Sequence, residues 1–143
     1  MRPLTPAEVT VVRRHLSTRT VSGDDGCILW TGAFSDTGYG NFWTSERYIG
    51  AHRAAWYLAN GPIPEQRPQL VVCHTCDVRA CCNPEHMFLG TRKDNHYDAL
   101  AKGKIAHHPK TGRMVGGSGR SVPKPIPRNL DKNVCPLILE RNR

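Results

Sequence analysis

Hydrophobic residues recur at helical spacing in the first hundred positions of the chain. Val9, Val12 and Leu16 follow one another at steps of three and four residues. Thr5 and Glu8 come just before this run, at the spacing of a capping box, and Pro6 stands at the first helical position. Three segments are predicted as helices: residues 5–17 (starting at Pro6), 52–60, and 91–102 with Thr91 as the N-cap.

Shorter runs of β-branched and aromatic residues lie between these helices and predict strands. Residues 27–31, 39–44 and 47–51 are predicted as one small antiparallel sheet, the last two joined by a turn at 45–46. Residues 70–73 are predicted as a buried strand that ends at His74, and residues 75–89 as a loop. Separate helices and antiparallel strands indicate an α+β fold.

The pattern changes after residue 103. Glycine, proline and basic residues dominate residues 104–143, and an apolar run returns only at 134–139. The length suits one domain, and we expect residues 1–103 to form it, with 104–143 as an extended tail. The apolar run could dock on the domain or on a second copy of the chain, which would give a homodimer.

Charge is distributed unevenly along the chain. Residues 1–101 carry ten basic and ten acidic side chains, whereas residues 102–143 carry ten basic residues against Asp131 and Glu140. A basic tail on a neutral domain indicates an arm that binds a polyanion, and a solubilising tail is the alternative. The tail residues expected to contact DNA phosphates are Lys104, Lys110, Arg113, Arg120, Lys124 and Arg128.

No apolar run reaches the length of a membrane span, and the first residues lack the apolar core of a signal peptide. We therefore expect an intracellular protein that is not secreted, in a bacterial or phage-infected cytoplasm or in a nucleus. In that reducing compartment six cysteines indicate metal ligands or free thiols rather than disulfides.

The pattern Cys76-x4-Cys81-x4-His86 places three metal-binding side chains within eleven residues. A structural zinc site needs four such ligands in a tetrahedron. Cys27 is the best candidate for the fourth because it would connect the sheet to the loop. Cys73 and Cys82 compete with it, and both are expected to pack inward instead. The alternative is a set of buried free cysteines with an unrelated histidine.

His74 and Asn95 flank this loop and are candidates for catalysis. A neutral imidazole can accept a proton from water, provided that its other nitrogen is fixed by a carbonyl or by a side chain such as that of Asn83. The Asn95 amide oxygen is a suitable ligand for Mg²⁺. Considered alone, His74 fits a structural role better and Asn95 fits an ordinary surface residue better, and it is their joint position around the loop that favours catalysis.

Several motifs, in order, resemble the ββα-metal nucleases, and more narrowly the phage-type HNH and His-Cys box homing endonucleases. The motifs are His74-x-Cys76, Cys81-x-Asn83-Pro84-x-His86, Gly90-Thr91-x2-Asp94-Asn95 and, upstream, Trp30-Thr31-Gly32, Gly38-Tyr39-Gly40, Ala51-His52-Arg53-Ala54-Ala55-Trp56 and Gly61-Pro62-Ile63-Pro64. The resemblance covers about residues 27–103. It implies His74 as general base, Asn95 as the divalent-cation ligand, and Cys27, Cys76, Cys81 and His86 as structural zinc ligands. Cys73 stands where some relatives have an aspartate ligand.

The resemblance also implies double-stranded DNA as the partner. The strand region 39–51 offers Asn41, Trp43, Thr44 and Arg47 as DNA contacts, and Arg47 or Arg53 could contact the scissile phosphate. The sequence therefore predicts a metal-dependent DNA endonuclease of homing or phage type that leaves 3′-hydroxyl and 5′-phosphate ends. A zinc-stabilised DNA-binding module without catalysis is the main alternative, and a zinc-stabilised module that binds a protein or RNA is a weaker one.

Overall fold

The computed structural model describes residues 1–103, together with the backbone of two short strands at 105–107 and 114–116. In chain order the elements are α1 (Pro6–Thr18), β1 (Thr20–Ser22), β2 (Ile28–Trp30), β3 (Asn41–Trp43), β4 (Tyr48–Gly50), α2 (Ala51–Asn60), β5 (Leu70–His74), β6 (Met87–Thr91), α3 (Arg92–Ala101), β7 (Ile105–His107) and β8 (Met114–Gly116). These short antiparallel strands and three helices form a small α+β fold, as predicted. None of the described helices has the length and apolarity needed to cross a membrane.

Helix α1 begins as its sequence predicts. The Thr5 hydroxyl accepts a hydrogen bond from the Glu8 amide (3.2 Å), and the Glu8 carboxylate accepts one from the Thr5 amide (2.9 Å). These bonds satisfy amide groups that the first helical turn leaves without partners. Val12 and Leu16 on the inner face are fully buried.

The strands pair in four separate two-stranded antiparallel sheets, β1 with β2, β3 with β4, β5 with β6, and β7 with β8. The prediction of one sheet from residues 27–31, 39–44 and 47–51 is therefore wrong. Strand β2 pairs with β1 on one edge. Its other edge is occupied by residues 80–82, through Trp30 N–Ala80 O (2.8 Å) and Cys82 N–Ile28 O (2.6 Å). No edge of β2 remains for β3.

The sequence predicted residues 75–89 as a loop, and this is wrong for the last three of them. Met87–Thr91 forms β6, which pairs with β5 in a register that runs from His74 opposite Met87 to Leu70 opposite Thr91. Strand β6 is followed directly by α3, which packs against both strands. The second half of the domain is thus a β–β–α unit, and His74 lies at the end of its first strand.

Glycine at position 90 lets α3 approach this hairpin closely. A β-carbon on Gly90 would lie 3.1 Å from the β-carbon of Asp94 and 3.2 Å from the Phe88 ring. Both distances are tighter than ordinary van der Waals contact. Gly90 therefore sets how near the first turn of α3, which carries Asn95, lies to the β5–β6 hairpin.

The main core lies between α1, α2 and strands β2 to β4. Its centre is Trp30, which is fully buried and donates its indole N–H to the Ala33 carbonyl (2.9 Å). Gly32 and Gly40 contact the faces of this indole so closely that neither position has room for a β-carbon. A second, smaller cluster of Ile63, Val72 and Met87 supports the β5–β6 hairpin.

Candidate metal centre and active site

The structure brings together the four side chains that the sequence proposed as zinc ligands. The ligand atoms of Cys27, Cys76, Cys81 and His86 all lie within 4.8 Å of one another. Cys27 precedes β2, Cys76 and Cys81 lie in the β5–β6 connection, and His86 ends the 3₁₀ turn Pro84–His86. The cluster therefore joins the two halves of the domain.

Two of the distances between ligand atoms in this cluster match those around a tetrahedral zinc ion. The Nδ1 atom of His86 lies 3.5 Å from Cys27 Sγ and 3.7 Å from Cys81 Sγ. Zinc–sulfur and zinc–nitrogen bonds of normal length at tetrahedral angles separate ligand atoms by about 3.5–3.8 Å. His86 would thus bind through Nδ1. Four protein ligands leave no position for water, which is typical of a structural site.

Burial affects the thiols of this cluster. It raises the pKa of the Cys27 thiol to about 12, with smaller contributions from the Cys81 and Cys76 thiols nearby. Three thiolates cannot remain this close in a buried space without a compensating cation. The donor set therefore fits a dication that binds thiolates.

Hydrogen bonds to Asn83 hold the loop in this shape. Its side-chain amide donates to the Gly26 carbonyl (2.8 Å) and accepts from the Glu85 amide (3.0 Å), and its backbone amide donates to Cys81 Sγ (3.4 Å). The sequence proposed Asn83 as a residue that could orient His74. The structure places its side chain in the Cys76–His86 loop, where it forms hydrogen bonds with backbone groups of Gly26 and Glu85 rather than with His74.

The two competing cysteines lie outside the cluster. Cys73 and Cys82 are both buried, and Cys82 belongs to the main core beside Trp30. Burial raises the pKa of the Cys73 thiol to about 11 and raises that of Cys82 as well. Both residues pack inward, as the sequence predicted.

His74 is buried, with only 7% of its surface exposed, and its ring is held by a hydrogen bond to the loop between Cys76 and His86. The Nε2 atom donates a hydrogen bond to the Cys81 carbonyl (3.0 Å). A neutral imidazole that carries its proton on Nε2 presents Nδ1 as an acceptor. Burial lowers the pKa of His74, although the Cys81 carbonyl and Asp77 oppose this effect. Its environment therefore favours a neutral ring with a free Nδ1.

Asn95 is exposed on the first turn of α3, and its side chain makes no hydrogen bond to the described residues. The neighbouring Asp94 is committed to capping this helix, since its Oδ2 accepts from the Thr91 amide and hydroxyl, both at 2.7 Å. At the start of α3, Asn95 therefore presents an amide oxygen that has no hydrogen-bond partner among residues 1–103.

The two candidate arginines have different surroundings. Arg47 Nε donates to the buried carboxylate of Glu8 (3.0 Å). Arg53 is half-buried and forms no ion pair or hydrogen bond within residues 1–103. Burial, and then the charge of Arg47, lowers the pKa of Arg53. Arg53 is therefore the guanidinium available to an anion, and Arg47 has a structural partner.

Residues 50–97 match the HNH endonuclease family. The matched segment begins at the last residue of β4 and ends within α3, so it contains His74, Asn95 and three of the four clustered metal ligands. Cys27 lies outside it. The resemblance to HNH endonucleases predicted from the sequence is confirmed over these residues.

Two proteins of Escherichia phage T7 are similar to this chain. Protein 7.7 is 39% identical over 82 residues, which cover 57% of this chain and 61% of that protein. Protein 2.8 is 35% identical over 95 residues, which cover 65% of this chain and 63% of that protein. The chain thus matches less than two thirds of the length of either relative. No solved structure shows a significant match.

The predicted DNA contacts on β3 and β4 differ in exposure. Trp43 is 50% exposed and packs edge-on against the exposed Tyr48, whose ring centroid lies 5.0 Å away. Asn41 is partly exposed. Thr44 is only 2% exposed and donates to Glu8 and to the Arg47 carbonyl, so it does not face solvent as a DNA contact must. The apolar run 134–139 lies outside the described residues, and so do the six basic tail residues predicted to contact DNA, which are Lys104, Lys110, Arg113, Arg120, Lys124 and Arg128.

Sequence reasoning missed two rings beside His74. The ring centroids of His52 and Tyr39 lie 5.3 and 6.1 Å from that of His74, and 5.0 Å from each other. Both residues lie in motifs on which the HNH resemblance rests, but neither received a role. Their position in those motifs was the signal that could have identified them.

Proposed function

We propose that this protein is a metal-dependent endonuclease of the HNH type that hydrolyses phosphodiester bonds of double-stranded DNA. The observation that carries the proposal is the state of His74. Its Nε2 is tied to the Cys81 carbonyl, so Nδ1 is free to accept a proton, in a β–β–α unit that matches a nuclease family.

In this proposal His74 is the general base. Nδ1 takes a proton from a water molecule, and the water oxygen attacks phosphorus in line with the bond to the 3′ oxygen. The products are 3′-hydroxyl and 5′-phosphate ends. Burial of His74 supports the role, since it lowers the pKa of the ring and so favours the neutral form that can accept a proton near pH 7.

Asn95 would hold a divalent cation such as Mg²⁺, through its free amide oxygen and together with oxygens of the DNA. Such a cation supplies charge stabilisation at the scissile phosphate and at the leaving oxygen. Cys73 cannot replace a carboxylate ligand, because it is buried and its pKa is raised. We therefore expect cation binding to depend strongly on bound DNA.

The Cys27, Cys76, Cys81 and His86 cluster would hold one structural zinc ion. Cys81 connects the two sites, because its Sγ lies in the cluster and its carbonyl accepts the His74 hydrogen bond. Zinc would thus fix the carbonyl that selects the tautomer of the base, without contacting substrate.

DNA binding would combine phosphate contacts with contacts from the β3–β4 hairpin. Arg53 is the candidate for the scissile phosphate because it has no partner among the described residues. Asn41 and Trp43 are the exposed candidates on the hairpin. The basic residues of the tail would raise affinity without specifying sequence. A homing or phage role, with site-specific cleavage, fits the resemblance to phage proteins.

The test is cleavage of supercoiled plasmid in Mg²⁺ by the wild-type protein, His74→Ala and His15→Ala. His15 lies on α1 against Phe42, belongs to neither the Cys/His cluster nor the rings beside His74, and serves as the control histidine. We expect the wild-type protein and His15→Ala to cleave, and His74→Ala to lose at least about 10²-fold in rate. Products should be joined by DNA ligase, which requires the proposed ends.

Intact plasmid after wild-type treatment, together with retained DNA binding, would indicate the alternative of a DNA-binding module without catalysis. Equal cleavage by His74→Ala would exclude His74 as the base. If the protein binds a protein or an RNA and an excess of duplex DNA does not displace that partner, the weaker alternative of a protein- or RNA-binding module is favoured.

A further inference from the structure

His52 is a second imidazole in the same site and has no role in the mechanism described above. It is the second residue of α2, and its ring lies against those of His74 and Tyr39. Two imidazoles whose centroids are 5.3 Å apart can reach the same substrate group. The question is which ring nitrogen of His52 is available and whether it carries a proton.

The packing of His52 shows which of its two ring nitrogens is available to a substrate. Its Nδ1 is buried and has no hydrogen-bond partner in the described part of the chain. The ring lies over Gly50, where a β-carbon would come within 3.2 Å of Cε1 and 3.4 Å of Nδ1. A buried N–H without a partner costs more than a buried lone pair without one. The proton therefore belongs on Nε2, the nitrogen on the other side of the ring.

The groups around His52 keep the ring neutral. Burial, then the neighbouring His74, then Arg53 lower the pKa of His52 to about 3. The third neighbour is the aromatic ring of Tyr39, whose centroid lies 5.0 Å from that of His52. A neutral ring with its proton on Nε2 is a fixed hydrogen-bond donor that does not switch with physiological pH.

We infer that His52 is a substrate-contacting residue that donates its Nε2–H to a non-bridging oxygen of the scissile phosphate, beside the base His74. The inference rests on the proposed nuclease function. Negative charge on those oxygens is concentrated when water attacks, and a donor already in place stabilises that state without reorganisation. Gly50 has a matching role, because its missing side chain leaves room for the His52 ring.

Three substitutions of His52 separate donation from packing. The amide nitrogen of glutamine reaches roughly the position of Nε2, whereas that of asparagine reaches roughly that of Nδ1, and leucine only fills space. We expect His52→Gln to retain most of kcat, and His52→Asn and His52→Leu each to lose roughly 10²-fold. His15→Gln, at a histidine outside this group of rings, is the matched control and should cleave like the wild type. Equal activity of His52→Leu and His52→Gln would overturn the inference.

A second measurement does not depend on cleavage. In protein with ¹⁵N-labelled histidine, NMR should show His52 as the neutral Nε2–H tautomer between about pH 5 and pH 8. Addition of duplex DNA with Ca²⁺ in place of Mg²⁺ should shift the Nε2 signal of His52, and that of His15 should stay unchanged. An Nδ1–H tautomer, protonation in this range, or an unperturbed Nε2 would each overturn the inference. Inactive wild-type protein that still shows the DNA-dependent shift would overturn the nuclease proposal alone.

Discussion

At the scale of single residues, Glu8 is the most consequential side chain outside the site. Its carboxylate is 1% exposed and accepts hydrogen bonds from the Thr5 amide (2.9 Å), Arg47 Nε (3.0 Å) and the Thr44 hydroxyl (3.3 Å). Arg2 adds a further ion pair at 3.3 Å. One buried charge thus connects the N-terminal segment and α1 to the β3–β4 hairpin.

These contacts predict a pH-dependent effect of Glu8→Gln. Burial raises the pKa of Glu8, but the Thr5 hydrogen bond and the two arginines outweigh it, and the net pKa lies below the ordinary value of 4.5. A carboxyl group whose pKa is lower in the folded state stabilises the fold at pH values above its unfolded-state pKa. This contribution is lost as the pH falls through its folded-state pKa. We expect Glu8→Gln to lower the free energy of unfolding by about 2 kcal/mol at neutral pH, and the difference to shrink below about pH 4.5.

Urea unfolding at pH 7 and at about pH 3 measures this difference. Glu65→Gln is the control, because Glu65 is exposed and its only ion pair within the described part of the chain is a 3.7 Å contact with the N-terminal amine. It should change stability little at either pH. A Glu8→Gln effect that is the same at both pH values would contradict an ionised Glu8.

At the scale of elements, the relation between β5 and α3 decides whether His74 and Asn95 can act together. Gly90 sets the approach at the start of the helix, and Lys102 fixes its end. The Lys102 ammonium donates to Asp98 (2.6 Å), to the Thr75 carbonyl (2.9 Å) and to Asp77 (3.3 Å), beside the carbonyl of His74. Lys102 therefore ties the helix to the turn that follows β5.

Lys102→Met should loosen this tie. We expect a loss of up to about 1 kcal/mol in stability, since the ion pairs are partly exposed, and faster amide hydrogen exchange at residues 74–77. The Mg²⁺ concentration for half-maximal cleavage should rise, because Asn95 would be less firmly placed. Lys93→Met is the control on the same helix, where the ammonium lies 5.7 Å from the Tyr97 ring centroid. Identical exchange in both variants would exclude the positioning role of Lys102.

At the scale of the whole molecule, the Cys/His cluster joins two halves that each have a small core. The contact between Cys27 and His86 closes a separation of 59 residues, and the pairing of β2 with residues 80–82 runs alongside it. A bound dication would stabilise only the folded chain, so its binding free energy becomes folding free energy.

Cys76→Ser tests this role of the cluster. We expect metal analysis to find about one zinc per chain in the wild-type protein and none in the variant, and thermal unfolding to shift strongly downward. Cys73→Ser is the control, because Cys73 lies in the same segment of the chain as Cys76 and is buried, but it is not part of the cluster. Zinc retained by Cys76→Ser, or an unchanged unfolding temperature, would contradict a structural zinc site.

The sequence by itself determined the features that depend on near neighbours along the chain. Helix α1 with its capping box, α3 with its Thr91 cap, and three clustered ligands within eleven residues follow from local spacing and local hydrogen bonds. Short-range geometry is the same wherever such a segment lies, so pattern alone predicts it.

Only the tertiary structure decided the features that depend on distant pairing. It placed β2 against β1 and residues 80–82, which excluded the predicted three-stranded sheet and brought Cys27 to the cluster. It also paired Arg47 with Glu8, left Arg53 without a partner among residues 1–103, and placed His52 beside His74. The physical reason is that strand partners, buried ion pairs and ring contacts are chosen by competition among surfaces far apart in the chain, which residue periodicity does not record.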